Sequence, residues 1–172
     1  MRSYFENYFK TTNIKVIPNG IHTGDFNMDG ITEKQYDVIH IGRLTGRKNI
    51  ELLFEVAKKL PFFKFLVIGT GEYYLKSDLG NITFLGYIPN AQLSEYFSKA
   101  KIAFFPSTSE NLPMVGLESM ACGIPVVAYA QGFKEYILDG VNGFILESLD
   151  VNYVSNKLTA IINDTAQLKK CW

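Results

Sequence analysis

Five short apolar runs, "IKVIPN", "DVIHIG", "FKFLVIG", "KIAFFPS" and "IPVVAYA", recur along the chain without strict polar alternation, and "NITFLG" and "GFIL" repeat the pattern more weakly. A strand with one wet face alternates; a strand apolar throughout must be covered on both faces. Helical patterns lie between the runs. In "NIELLFEVAKKL" the residues Ile50, Leu53, Phe54, Ala57 and Leu60 keep the i, i+3, i+4, i+7 spacing, with Asn49 as the expected cap. A second helix, "NAQLSEYFSKA", follows Asn90, and a third runs from about Pro113 to Ala121, stopped by Gly123 and Pro125. This succession predicts an α/β fold: an open, mainly parallel sheet with helices on both faces. Asn19 to Gln35 reads as a long irregular connection between the first and second strands, and "VNYVSNKLTAIINDTAQLKKCW" as a helix followed by the start of another.

Length and charge narrow the partners. A chain of 172 residues suffices for a single domain, 1–172, burying about 70 % of its unfolded surface. Lys+Arg and Asp+Glu both number 17, so no broad basic field recommends nucleic acid and any anion site must be local. Cys122 and Cys171 fit neither a disulfide framework nor a metal cluster, so a reducing, cytoplasmic setting and no metal are expected. "MRSYFENYFK" lacks the apolar core of a signal peptide, and no window approaches the roughly 18 apolar residues of a membrane helix.

In such sheets ligands sit beyond the carboxyl ends of the strands, where three loops should gather. In "GRLTGRKN" Gly42 permits a tight turn, Arg43 and Lys48 are cations, and a helix N-terminus follows, which together suit a phosphate. Solvated loop charges explain the same residues equally well. The spacing of Gly46 and Lys48 is not that of a P-loop, and "GTGE" lacks the third glycine of a dinucleotide fingerprint, with Tyr74 in its place. "SENLPMVGLESMACGIPVVA" sets Glu110 before a helix and Glu118 inside it. At about 100° per residue, Glu118 lies about 40° from Met114, at the edge of the apolar stripe of Met114, Leu117 and Ala121. A half-buried carboxylate there calls for a cation, a loop amide or a pair of hydroxyls.

The chain resembles the group 1, glycogen-synthase-like retaining glycosyltransferases with two Rossmann-like domains, the GT-B fold. The resemblance rests on "VIPNGI" from Val16, "GRLTGRKN" from Gly42, "FLGYIP" from Phe84, "PSTSENLPMVGLESMACGIPVVA" from Pro106 and "EYILDGVNGFIL" from Glu135. It matches the C-terminal, nucleotide-sugar-binding half. The resemblance implies that Arg43 and Lys48 hold the donor's diphosphate beside Gly42, that Glu118 bonds the ribose hydroxyls, and that Glu110 faces the sugar. Asn111, Leu112, Pro113, Met114 and Val115 would wrap the sugar and distal phosphate, and Tyr87 and Ile88 would border the base. Two departures stand out. Asn111 follows the first glutamate where many relatives have glycine, and Gln131 with Gly132 stands where relatives tend to have paired glycines.

The resemblance further implies transfer of a hexose from a UDP- or GDP-type sugar, with no further cofactor, to a saccharide or lipid-linked acceptor. That acceptor is held by an N-terminal domain missing here; both ends look truncated, the isolated fragment is expected to be inactive, and the full-length protein has room for peripheral membrane association. Phe5, Tyr8, Phe9 and Trp172 would then be former interdomain contacts. A nucleotide-sugar epimerase domain and a non-catalytic nucleotide-binding α/β module are the alternative readings. The first needs additional acid/base groups, yet the two histidines read as a satisfied core residue, His40, and a solvated one, His22.

Overall fold

A sheet apolar on both faces must be sandwiched between helices, and the chain supplies them in the spaces between its strands. The computed structural model describes residues 2–15, 17–26 and 33–171, and of residues 2–5 the backbone only. Helix α1 (Arg2–Phe9) precedes strand β1 (Tyr36–Ile41). Then follow α2 (Ile50–Lys59), β2 (Phe65–Ile68), β3 (Ile82–Phe84), α3 (Leu93–Ser98), β4 (Ala100–Phe105) and α4 (Met114–Ala121). Strands β5 (Val126–Ala128) and β6 (Gly143–Ile145) and helices α5 (Val151–Asn163) and α6 (Thr165–Lys170) complete the order. The six strands are parallel, in the spatial order β3-β2-β1-β4-β5-β6.

Period-two geometry divides each apolar run between two cores. Val38, Phe65, Val67, Ile102 and Phe104 pack against α2, α5 and α6. Ile39, Ile41, Leu66, Ile68, Ala103 and Phe105 face the other way, toward α3 and the segment from α4 to Ile137, where Phe105 stacks on Phe133 at 5.6 Å. Asp150 caps α5 by accepting from the amides of Asn152 and Tyr153, and Asp164 caps α6 through the amide of Gln167. Both cysteines are free, and Cys122 is buried. Among the described residues no helix is long and apolar enough to cross a membrane.

Two expectations are corrected. The described residues of "IKVIPN" form no strand: Ile17 is 78 % exposed, and Pro18 has no N–H to give a ladder. Val16, residues 27–32 of the irregular stretch, and the side chains of Phe5 and Trp172 lie outside the described residues. The weak runs "NITFLG" and "GFIL" supply β3 and β6, the two edge strands, three residues each. Asn49 does not cap α2 with its side chain; its backbone is left-handed (φ 54°), and its amide group reaches the carbonyl of Pro106 at 3.4 Å.

This order places the site. From β1 the chain winds outward through β2 to β3, then returns to lay β4 on the other side of β1. The loops leaving β1 and β4 therefore diverge, and a crevice opens between them at the switch point.

Candidate functional site

Four loops meet at the carboxyl edge, bound backbone to backbone. The amides of Gly42 and Leu44 donate to the carbonyls of Ile68 and Thr70, at 3.0 and 2.9 Å, and that of Gly69 to the carbonyl of Gly86 at 2.7 Å. Glu72 accepts from the amide of Gly46 at 2.9 Å. A Cβ at Gly69 (φ +135°) would fall 1.9 Å from the carbonyl oxygen of Gly42, so "GTGE" needs its first glycine to let two loop backbones touch. Across the switch point, the amide and hydroxyl of Thr108 both donate to the carbonyl of Arg47.

Within this frame the ammonium of Lys48 donates to a carboxylate oxygen of Glu110. The side chains are 15 % and 10 % exposed, so the pair is largely withdrawn from water. It borders a crevice of about 360 Å³ with Gly42, Pro113, Met114, Val115 and Glu118. Helix α4 begins here, and helix geometry leaves its first amides without intrahelical acceptors. Its entry is fixed from behind, since the hydroxyl of Tyr136 donates to the carbonyl of Pro113 at 2.8 Å.

Glu118 sits half-buried on the crevice wall with no hydrogen-bond or ion-pair partner among the described residues. Burial raises its pKa because the charged form has lost water without gaining a counter-charge.

A second crevice, about 230 Å³, adjoins the first through Ile41 and Gly42 and is walled by Arg43, Gly69, Tyr87 and Ile88. Arg43 is exposed and Ile88 half-buried, and the ring of Tyr87 projects outward, 76 % exposed. Asn111 and Leu112 belong to the same loop as Glu110 yet line neither crevice. A groove of about 400 Å³ at Gln35, Lys64 and Asn81 lies at the amino ends of the strands, the wrong end for an α/β ligand site.

His40 departs from the reading of a satisfied core residue. It is 1 % exposed; its Nδ1 donates to the carbonyl of Phe104 at 2.9 Å, while Nε2 is buried without a partner. Burial pushes its pKa down from 6.5 to about 4, the bond to Phe104 pulling the other way. Between those values the unfolded chain binds a proton that the folded chain does not, so stability falls as pH falls, by about 3 kcal/mol across the window. Urea midpoints measured at intervals from neutral pH to pH 4 should show this loss, and His40→Asn should flatten that part of the curve.

Comparison with known proteins assigns the family. The model of "Glycosyl transferases group 1" matches residues 24–171. The chain belongs to the group 1 glycosyltransferases. It is 35 % identical over 137 residues to sulfoquinovosyl transferase SQD2 of Arabidopsis thaliana, covering 74 % of this chain and 26 % of that protein. TarM of S. aureus, solved as a mutant in complex with Fondaparinux, alpha-GlcNAc-glycerol and UDP, superposes with a TM-score of 0.81 at 23 % identity, over 99 % of this chain and 36 % of that one. The C-terminal domain of a group 1 family protein from Francisella tularensis matches with a TM-score of 0.66 at 24 % identity, over 90 % and 88 % of the two chains. The chain spans 26 % of the length of SQD2 and 49 % of that of an uncharacterized glycosyltransferase of Haemophilus influenzae. Its sheet is half of a GT-B fold, and the family assignment speaks against the epimerase reading.

Sequence reasoning gave no site role to three residues beside the crevice: His40, read as a satisfied core residue; Gly132, noted only as a departure; and Tyr136. A Cβ on Gly132 would lie 2.3 and 2.5 Å from the carbonyl oxygens of Asn111 and Glu110. "EYILDGVNGFIL" was the one available signal for Tyr136, and it carried no role for that residue.

Proposed function

We propose that the two adjoining crevices hold a nucleoside diphosphate sugar, as the donor site of a retaining glycosyltransferase that passes a hexose to a saccharide acceptor. The observation that carries this reading is the convergence of Lys48, Glu110 and the unpaired Glu118 on one crevice at the β1/β4 switch point. Lys48 and Arg43 flank the ridge at Gly42 where a diphosphate would lie, with the start of α4 beyond it. The ribose would offer Glu118 two hydroxyl donors, relieving a half-buried carboxylate that has no partner among the described residues. Tyr87 and Ile88 would border the base. Glu110 would face the sugar, with the backbone of Asn111 to Val115 around it. TarM, which shares the fold, was solved with UDP, and this supports a nucleotide as the kind of ligand.

Departure of the nucleoside diphosphate leaves negative charge on its distal phosphate, so fixed cations and amides act most strongly there. Each charge-assisted hydrogen bond contributes about 1.5–3 kcal/mol, and a helix N-terminus about 0.3–1 kcal/mol. Placing the acceptor and excluding water falls to a facing domain, as a two-domain fold requires. On this reading the present chain binds donor and transfers no sugar by itself, and sugar transfer by the purified chain would contradict it.

Calorimetric titration with UDP, GDP and ADP tests the assignment. One diphosphate should bind saturably and thereby name the base, and Arg43→Ala combined with Lys48→Met should abolish the signal in a chain whose circular dichroism is unchanged. Equal binding by the double variant would remove the diphosphate from this crevice.

A further inference from the structure

Among the described residues, one buried side-chain nitrogen or oxygen lacks a hydrogen-bond partner: Nε2 of His40. Its chemistry is fixed from the other side of the ring. The carbonyl of Phe104 can only accept, so the Nδ1 it faces at 2.9 Å carries the proton and Nε2 is a bare lone pair. The ring is buried in β1, two residues before Gly42, and cannot turn to find water.

That lone pair lies under the candidate crevice. A Cβ built on Gly42 would sit 3.8 Å from Nε2 of His40 and 4.0 Å from Cε of Lys48, the nearest atoms to it. The imidazole from below and the lysine stem from the side thus converge on the small volume that the absent side chain of Gly42 leaves open. The same ring feels the charges of both Lys48 and Glu110. Lys48 carries three N–H donors, of which Glu110 takes one.

We propose that His40 is a positioning residue for Lys48: its Nε2 accepts one N–H of the ammonium when Lys48 turns from Glu110 toward the crevice, leaving its other N–H groups for an anionic ligand. Neutral imidazole suits this task because imidazolium would repel the ammonium, and burial keeps the ring neutral at physiological pH. A Cβ at Gly42 would take up part of the space that both groups border. The inference rests on the diphosphate reading only for the identity of the ligand; the pairing of His40 with Lys48 can be tested without one.

The test uses the chain labelled with 15N-histidine, whose two histidines make assignment direct through a His22→Ala control. In ligand-free protein, Glu110→Gln frees the lysine; the Nε2 resonance of His40 should shift as it accepts a hydrogen bond while Nδ1 stays put. Adding Lys48→Met to Glu110→Gln should return Nε2 to its wild-type position. An Nε2 resonance that ignores both substitutions overturns the proposal whether or not any nucleotide binds. The second arm titrates UDP, GDP and ADP. His40→Asn keeps a donor for Phe104 and loses the acceptor, so it should weaken the bound diphosphate about tenfold, the worth of one charged hydrogen bond. His40→Gln retains a polar group at the Nε2 position and should stay within about threefold of wild type. A structural role alone would not move Nε2 with Lys48, and equal affinity in all three chains would overturn the positioning role while leaving the diphosphate site standing.

Discussion

Gly132→Ala should destabilise the chain by about 3 kcal/mol and abolish diphosphate binding together with it. The added methyl would meet backbone rather than a movable side chain: the carbonyl oxygens of Asn111 and Glu110 lie 2.3 and 2.5 Å from its position. Those carbonyls belong to the loop that carries Glu110 to Lys48, so relief of the clash must displace the ion pair. Gly80→Ala is the matched control, having nothing within 4 Å of its Cβ position, and should be silent. Urea denaturation reads the stability and calorimetry the binding. A Gly132→Ala chain as stable as Gly80→Ala would mean that the loop yields without strain. The departure noted at Gln131 and Gly132 thus divides in two: Gln131 is exposed and free to vary, and Gly132 is pinned against the site.

Lys48→Met should destabilise the chain by about 3 kcal/mol, because removing one partner of a withdrawn ion pair strands the other. Glu110 is only 10 % exposed and would lose its counter-charge. Combining Lys48→Met with Glu110→Gln removes the stranded charge, and most of the stability should return. A double-mutant cycle from urea midpoints measures the coupling. If the two losses simply add, the pair is not coupled and the crevice is wetter than its burial implies. The double variant should be stable yet blind to every diphosphate, which separates the pair's role in holding the loops from its role toward a ligand.

Legibility in the sequence followed the physics of each feature. Central strands β1, β2 and β4 are mostly apolar because helices cover both faces, and such runs declare themselves. Edge strands β3 and β6 pair on one side only and are three residues long, so "NITFLG" and "GFIL" looked weak although both are strands. "IKVIPN" has the composition of a strand, but its described residues pair with no edge, and composition cannot reveal a missing neighbour. In the site, Arg43, Lys48, Glu110 and Glu118 stand out as charges beside glycines and apolar residues. What the sequence could not give was the meeting of Lys48 with Glu110 across 62 positions, or the half-satisfied state of His40. Each depends on which strand lies beside which. The roles of Tyr136 and Gly132 could not be read for a further reason: they act on the backbone of another loop, and backbone has no sequence signature.

The switch between β1 and β4 also has a mechanical meaning. It is a seam joining two stretches of chain, one carrying β1 to β3 and the other β4 to β6. Asp37 and Lys101 close the seam at its amino end, 2.7 Å apart, and Lys48 with Glu110 closes it at the carboxyl end. A ligand seated across that second clasp bonds both stretches at once, so the halves cannot part without releasing it. Unfolding in two steps, one half before the other, would then merge into a single transition as ligand is added, the gain in stability following RT ln(1 + [L]/Kd).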